Sequence, residues 1–120
     1  NIMAAALCVF AKPPVPGRSK TRLASKIGSG GACRLAEAFI SDFFTISGKL
    51  KWAEPVLATT EDGMRGDSFP LACFPDGVVR ENVNRWLQPD GDLGAKIEGI
   101  VRQGLDKGHP YVICTAADAP

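Results

Sequence analysis

The sequence has a single histidine, His109, and its four cysteines, Cys8, Cys33, Cys73 and Cys114, never fall into a CxxC pair. That leaves no zinc-ligand spacing, with a reduced protein and a disulfide scaffold as the two readings of the cysteines. Net charge is nearly absent as well: 14 Lys and Arg stand against 13 Asp and Glu, a balance of +1. Such a chain has no general electrostatic reason to seek nucleic acid or an anionic membrane. The apolar run from Met3 to Ala11 has no basic segment ahead of it and no small-x-small cleavage site behind it, and it is far too short to span a bilayer. Cys8 and Cys114 sit inside apolar runs, where a free cysteine behaves as a small hydrophobe, so the expectation is a reduced, cytoplasmic protein. No repeat, linker or low-complexity stretch is visible.

What is present is a core. A length of 120 residues at 45% hydrophobic content suits one compact α/β domain, 1–120. Ala4 to Ala11 (AAALCVFA) is almost continuously apolar, as a central parallel strand covered on both faces should be. The basic loop and the GSGG stretch, Gly28 to Gly31, come next. After them, apolar residues at Ala32, Leu35, Ala36, Phe39, Ile40, Phe43 and Phe44 line one side of a helix that stops at Gly48. Glu54 to Thr60 reads as a second strand, which predicts a parallel crossover. Between Glu61 and Arg85 the pattern is ambiguous: Leu71 to Phe74 suits a short strand, while Val79, Val83, Trp86 and Leu87 have partly helical spacing. Leu93, Ile97, Ile100, Val101 and Leu105 then mark a helix with Asp92 as N-cap and Gly108 as stop. Pro110 to Thr115 predicts a strand that leads to Asp118.

Charge is concentrated in one place. Between Lys12 and Lys26 there are five cations, Lys12, Arg18, Lys20, Arg22 and Lys26, and no acid. The segment KPPVPGRSKTR follows the first strand, at the carboxyl edge where open α/β sheets bind ligands. Gly17 permits close approach to a phosphate, the prolines stiffen the loop, and Arg18 and Arg22 can pair with phosphate oxygens while Lys12 and Lys20 act as point charges. On composition alone, a solvated surface loop stands equally open. Asp118, directly after a strand, suits either a Mg²⁺ ligand or a turn aspartate. In QPDGDLGAK, Gln88 carries the donor and acceptor needed to read a base edge, and Gly94 leaves room for a flat group. Asp90 and Asp92 read as turn and cap chemistry ahead of a metal pair. His109 reads as a loop residue, and Trp52 and Trp86 as packing residues.

Together the segments FAKPPVPGRSKTRLA, QPDGDLGAKI and VICTAADAP resemble a bacterial family of glycosyltransferase-A-like nucleotide-diphospho-sugar transferases, related to the sugar nucleotidyltransferases and the 2-phospho-lactate guanylyltransferases. The resemblance implies a Rossmann-like α/β fold with a mostly parallel sheet and flanking helices. It implies that Lys12, Gly17, Arg18, Lys20 and Arg22 embrace phosphates, with Lys20 also serving catalysis. By the same resemblance, Gln88, Asp92 and Gly94 lie near the nucleobase, and Asp118 is a catalytic residue that holds Mg²⁺ or Mn²⁺. This chain departs from the family pattern at Ala116 and Ala117, where Gly-Thr is common, and at Ala95 and Lys96, where Glu-Arg is common. Family members continue past this aspartate, so the expectation is an N-terminal part of a longer transferase, truncated at its carboxyl end.

Three activities follow from this resemblance. The first is metal-dependent transfer from a nucleotide-activated sugar to an acceptor. The second is nucleotidyl transfer from a nucleoside triphosphate with release of pyrophosphate. The third is nucleotide binding without catalysis.

Overall fold

The computed structural model describes residues 4–14 and 21–117, with the backbone alone described across 21–30. The elements run β1 (Ala5–Phe10), α1 (Thr21–Ser47), β2 (Ala53–Thr59), β3 (Arg85–Leu87), α2 (Leu93–Asp106) and β4 (Val112–Ala116). The strands form one sheet in the order β3-β2-β1-β4, and every neighbouring pair is parallel. All four carboxyl ends therefore lie on one edge. The order grows outward from β1 in one direction and then reverses to place β4 on its other side, so the topological switch point lies between β1 and β4.

The alternation of β1 divides the core. Val9 and Leu7 face α1, packing with Ile40, Phe43, Phe44, Leu57 and Phe69. Ala6, Cys8 and Phe10 face the other way, with Val56, Ala58, Trp86 and Ile100 of α2. A strand buried on both faces has no polar side to show, which is why its sequence is an unbroken apolar run. On α2, Gly104 is required by close approach: a Cβ there would strike Val112 and the Trp86 ring.

Several expectations needed correction. The helix read from Ala32 onward already starts at Thr21, so the GSGG stretch, Gly28 to Gly31, lies within it. Glycines tax helix propensity, but the apolar stripe downstream anchors the helix and propagation then adds a bond per residue. Leu71 to Phe74 is not a strand; the chain from 61 to 84 makes three short 3₁₀ turns, Glu61–Met64, Leu71–Cys73 and Arg80–Asn82. Arg85 ties them down through its guanidinium, which donates to the carbonyls of Gly63, Gly66 and Arg80. This half-buried cation was invisible to a reading of apolar spacing. Trp86 is buried as expected, but Trp52 is 55% exposed. His109 is in a loop yet only 6% exposed. No described helix is long and apolar enough to cross a membrane, and the four cysteines are free thiols.

Candidate functional site at the carboxyl edge of the sheet

β1 ends at the middle of the carboxyl edge, and its neighbours close over its last residues. Ala11 N donates to Ala58 O at 3.1 Å, and Ala117 N donates to Phe10 O at 2.9 Å. Lys12, half-buried, therefore leaves the sheet between the ends of β2 and β4. Pro13 and Pro14 behind it are buried, so the start of the basic loop is seated on the fold rather than hanging from it. Gly17, Arg18 and Lys20 lie outside the described residues. Arg22 is in the first turn of α1, where the backbone alone is described. Asp118 also lies outside the described residues, directly after Ala117, which is buried beside the end of β1.

Both helices begin at this edge, since each follows a strand of a parallel sheet. A helix amino terminus presents N–H groups without intrahelical partners and the positive end of the helix dipole, which favour anions. At α2 the cap is explicit. Asp92 Oδ1 accepts from Ala95 N at 2.9 Å, after Gly91 turns the chain with φ of 119°. The capping reading of Asp92 is thus what the structure contains, and its second carboxylate oxygen makes no part of that bond. Gly94 is exposed, and a Cβ there would meet only Asp92 Oδ1 at 3.5 Å, an ordinary contact. The fold itself does not demand glycine at that position, so the space above Gly94 is open to a ligand.

Gln88 stands just past β3, and two of its donors serve β2. Its backbone N donates to Thr59 O at 2.8 Å, and Nε2 donates to Ala58 O at 2.8 Å. The carboxamide is therefore fixed in orientation, with Oε1 and the second Nε2 hydrogen remaining to meet a ligand. Gln88, Phe10, Gly91, Leu93 and Lys96 line a depression of about 200 Å³ at the end of β1. Lys96 is a residue that reading the sequence missed as a site candidate. It appeared there only as a departure from a family pattern, yet it shares this depression with Gln88. The signal was its place in the first turn of α2, four residues after the cap, where its backbone N donates to Asp92 O at 3.0 Å.

Lys12, Gln88, Asp92, Gly94 and Lys96 are thus gathered at one edge, with the described end of β4 beside them. Among the described residues, no three His, Cys, Asp or Glu side chains come together to hold a metal ion. Thr115, Ala116 and Ala117 close the described part of the chain after β4, and Asp118 follows them in sequence, outside the described residues.

No family model matches the chain, and no curated protein matches it. Among solved structures it is similar to a protein from Desulfovibrio desulfuricans G20 described as a "putative nucleotide-diphospho-sugar transferase". The TM-score is 0.77 and the identity 24%, over 98% of this chain and 50% of that one. This chain spans about half the length of that protein. The fold is therefore α/β, a parallel sheet flanked by helices, in the arrangement of that structure.

Proposed function

We propose that the chain is the nucleotide-binding part of a metal-dependent transferase that uses a nucleotide-activated sugar. The observation that carries this reading is the gathering of Lys12, Gln88 and Lys96 at the carboxyl edge beside the switch point, together with two helix amino termini. Lys12, Arg18, Lys20, Arg22 and the amides around Gly17 hold the diphosphate. Gln88, Asp92 and Gly94 flank the nucleobase, and Lys96 adds a cation to their side of the donor. Lys20 neutralises charge on the diphosphate as it leaves, while an acceptor hydroxyl attacks the sugar carbon. Asp118, with the donor phosphates, would hold Mg²⁺ or Mn²⁺, which would supply further charge neutralisation.

A panel of nucleoside triphosphates and nucleotide-sugars, each offered with Mg²⁺ and candidate acceptors, tests the reading. Sugar transfer supports it. Release of pyrophosphate in the presence of an acceptor phosphate would replace it with nucleotidyl transfer, and tight binding with no turnover would leave a binding module.

A further inference from the structure

Cys8 and Cys114 come from opposite ends of the sequence but are direct register partners on the neighbouring parallel strands β1 and β4. Both side chains point to the α2 face, within the cluster of Ala6, Phe10, Val56 and Trp86. They differ in access. Cys8 is fully buried, whereas Cys114 is half-buried on β4, the last strand of the sheet among the described residues. Partners on adjacent strands have Cα atoms about 4.8 Å apart, inside the roughly 4.4–6.8 Å span that a disulfide tolerates. Nothing in the proposed transferase chemistry uses either thiol.

We propose that Cys114 and Cys8 are the attacking and resolving thiols of a redox-active pair, which a small-molecule disulfide oxidises to a cross-strand disulfide. The Cys114 thiolate attacks one sulfur of the small disulfide, forming a mixed disulfide and expelling one small thiolate. Cys8 then gives up its proton and attacks Cys114 Sγ. The Cys8–Cys114 bond forms, the mixed disulfide breaks, and the second small thiolate leaves and is protonated. The protein dithiol has lost two electrons and the small disulfide has become two thiols.

The surroundings favour this division of roles. The neighbouring Cys8 thiol holds the Cys114 thiol below its ordinary range against the opposing effect of burial. Interaction with Cys114, together with burial, pushes the Cys8 thiol up, as suits a resolving group that reacts only once its neighbour is modified. The remaining thiols are poor nucleophiles by comparison. Cys73 is pushed up to about 12, chiefly by burial, and Cys33 is raised by burial and by Glu37. In-register side chains leave a parallel sheet nearly side by side, so closing the bond draws the strands in toward the Cβ separation of ~3.8 Å that a relaxed disulfide prefers. A bond under that tension is reducible rather than structural. It also lies two positions before Phe10 and Ala116, the last paired residues at the carboxyl edge.

The inference stands apart from the transferase reading and is tested without any nucleotide. The reduced full chain is incubated with glutathione disulfide, alkylated, and its cysteines mapped by mass spectrometry. The expected product links Cys8 to Cys114 and leaves Cys33 and Cys73 alkylated. Cys8→Ala should accumulate glutathione on Cys114, and Cys114→Ala should take up none. Cys114 should react at least about tenfold faster than Cys73, since each pKa unit changes the thiolate fraction tenfold. If Cys8→Ala does not fold, mapping of the unaltered protein decides alone. Glutathione spread evenly over the four cysteines, or Cys114 left unmodified in the folded chain, would overturn the proposal.

Discussion

Gln88 Nε2 donates to the carbonyl of Ala58 at 2.8 Å, joining the residue after β3 to the end of β2. One hydrogen bond thus stiffens the carboxyl edge and aims the remaining Oε1 outward.

That double duty separates two effects in Gln88→Ala. Loss of a neutral hydrogen bond costs about 1 kcal/mol of stability, and nucleotide affinity falls as well. Gln88→Glu is expected to be worse on stability, because a carboxylate oxygen replaces the donor that faces the Ala58 carbonyl. Urea unfolding reads the first effect and titration with nucleotide the second. An unchanged affinity in both variants removes Gln88 from the site.

Asp92 allows a cleaner dissection. Asp92→Ala removes the acceptor of Ala95 N and should destabilise by roughly 1 kcal/mol, whereas Asp92→Ser keeps a cap. If the carboxylate also meets the nucleotide, Asp92→Ser retains the unfolding midpoint yet binds more weakly. Equal affinity in Asp92→Ser and the parent would leave capping as its whole role.

In the basic loop, Arg18→Ala and Lys20→Ala should each weaken nucleotide binding by on the order of 1.5–3 kcal/mol, the range for a hydrogen bond to a charged group. Asp118→Asn should instead abolish the enhancement of binding by Mg²⁺, as chelation should in the parent. Calorimetry with and without Mg²⁺ distinguishes the two classes, and a mutant that keeps full Mg²⁺ enhancement refutes the assignment of Asp118.

His109 supplies a control at the opposite edge. Its Nδ1 lies 2.8 Å from the carbonyl of Ala4, an atom that only accepts, so Nδ1 carries the hydrogen. Trp86 packs beside the ring at 5.7 Å. His109→Phe leaves that buried carbonyl unpaired and should cost about 1–3 kcal/mol. Nucleotide affinity should not move, because the amino ends of the strands are remote from the binding edge. A large affinity loss in a folded His109→Phe protein would mean that the two edges are coupled.

Much of this protein was legible in local pattern. The unbroken apolar run of β1, the period of α2 with Asp92 ahead of it, and the punctuation at Gly48 and Gly108 are short-range signals, and each corresponds to an element or boundary in the structure. The α/β class follows from their alternation. Other parts resisted because their stabilising partners are distant in sequence. The 61–84 segment is organised by Arg85, a cation whose acceptors are backbone carbonyls and therefore leave no trace in residue type. The stripe on α1 was broader than the buried face: Leu35 and Phe39 remain 50% and 41% exposed, because spacing defines a side of a helix but not what covers it.

The sequence by itself determined that a buried parallel strand runs into a basic Pro/Gly loop and that a capped helix follows the QPDGD turn. Periodicity and turn chemistry act over a few residues, so one strand or helix at a time is enough to read them. Only the tertiary structure decided that β4 returns to lie against β1 rather than beyond β3. Strand order is a matter of which distant segments pair, and no local period encodes it. That single pairing brings the end of β4 beside Lys12 at the candidate site, and it sets Cys114 against Cys8.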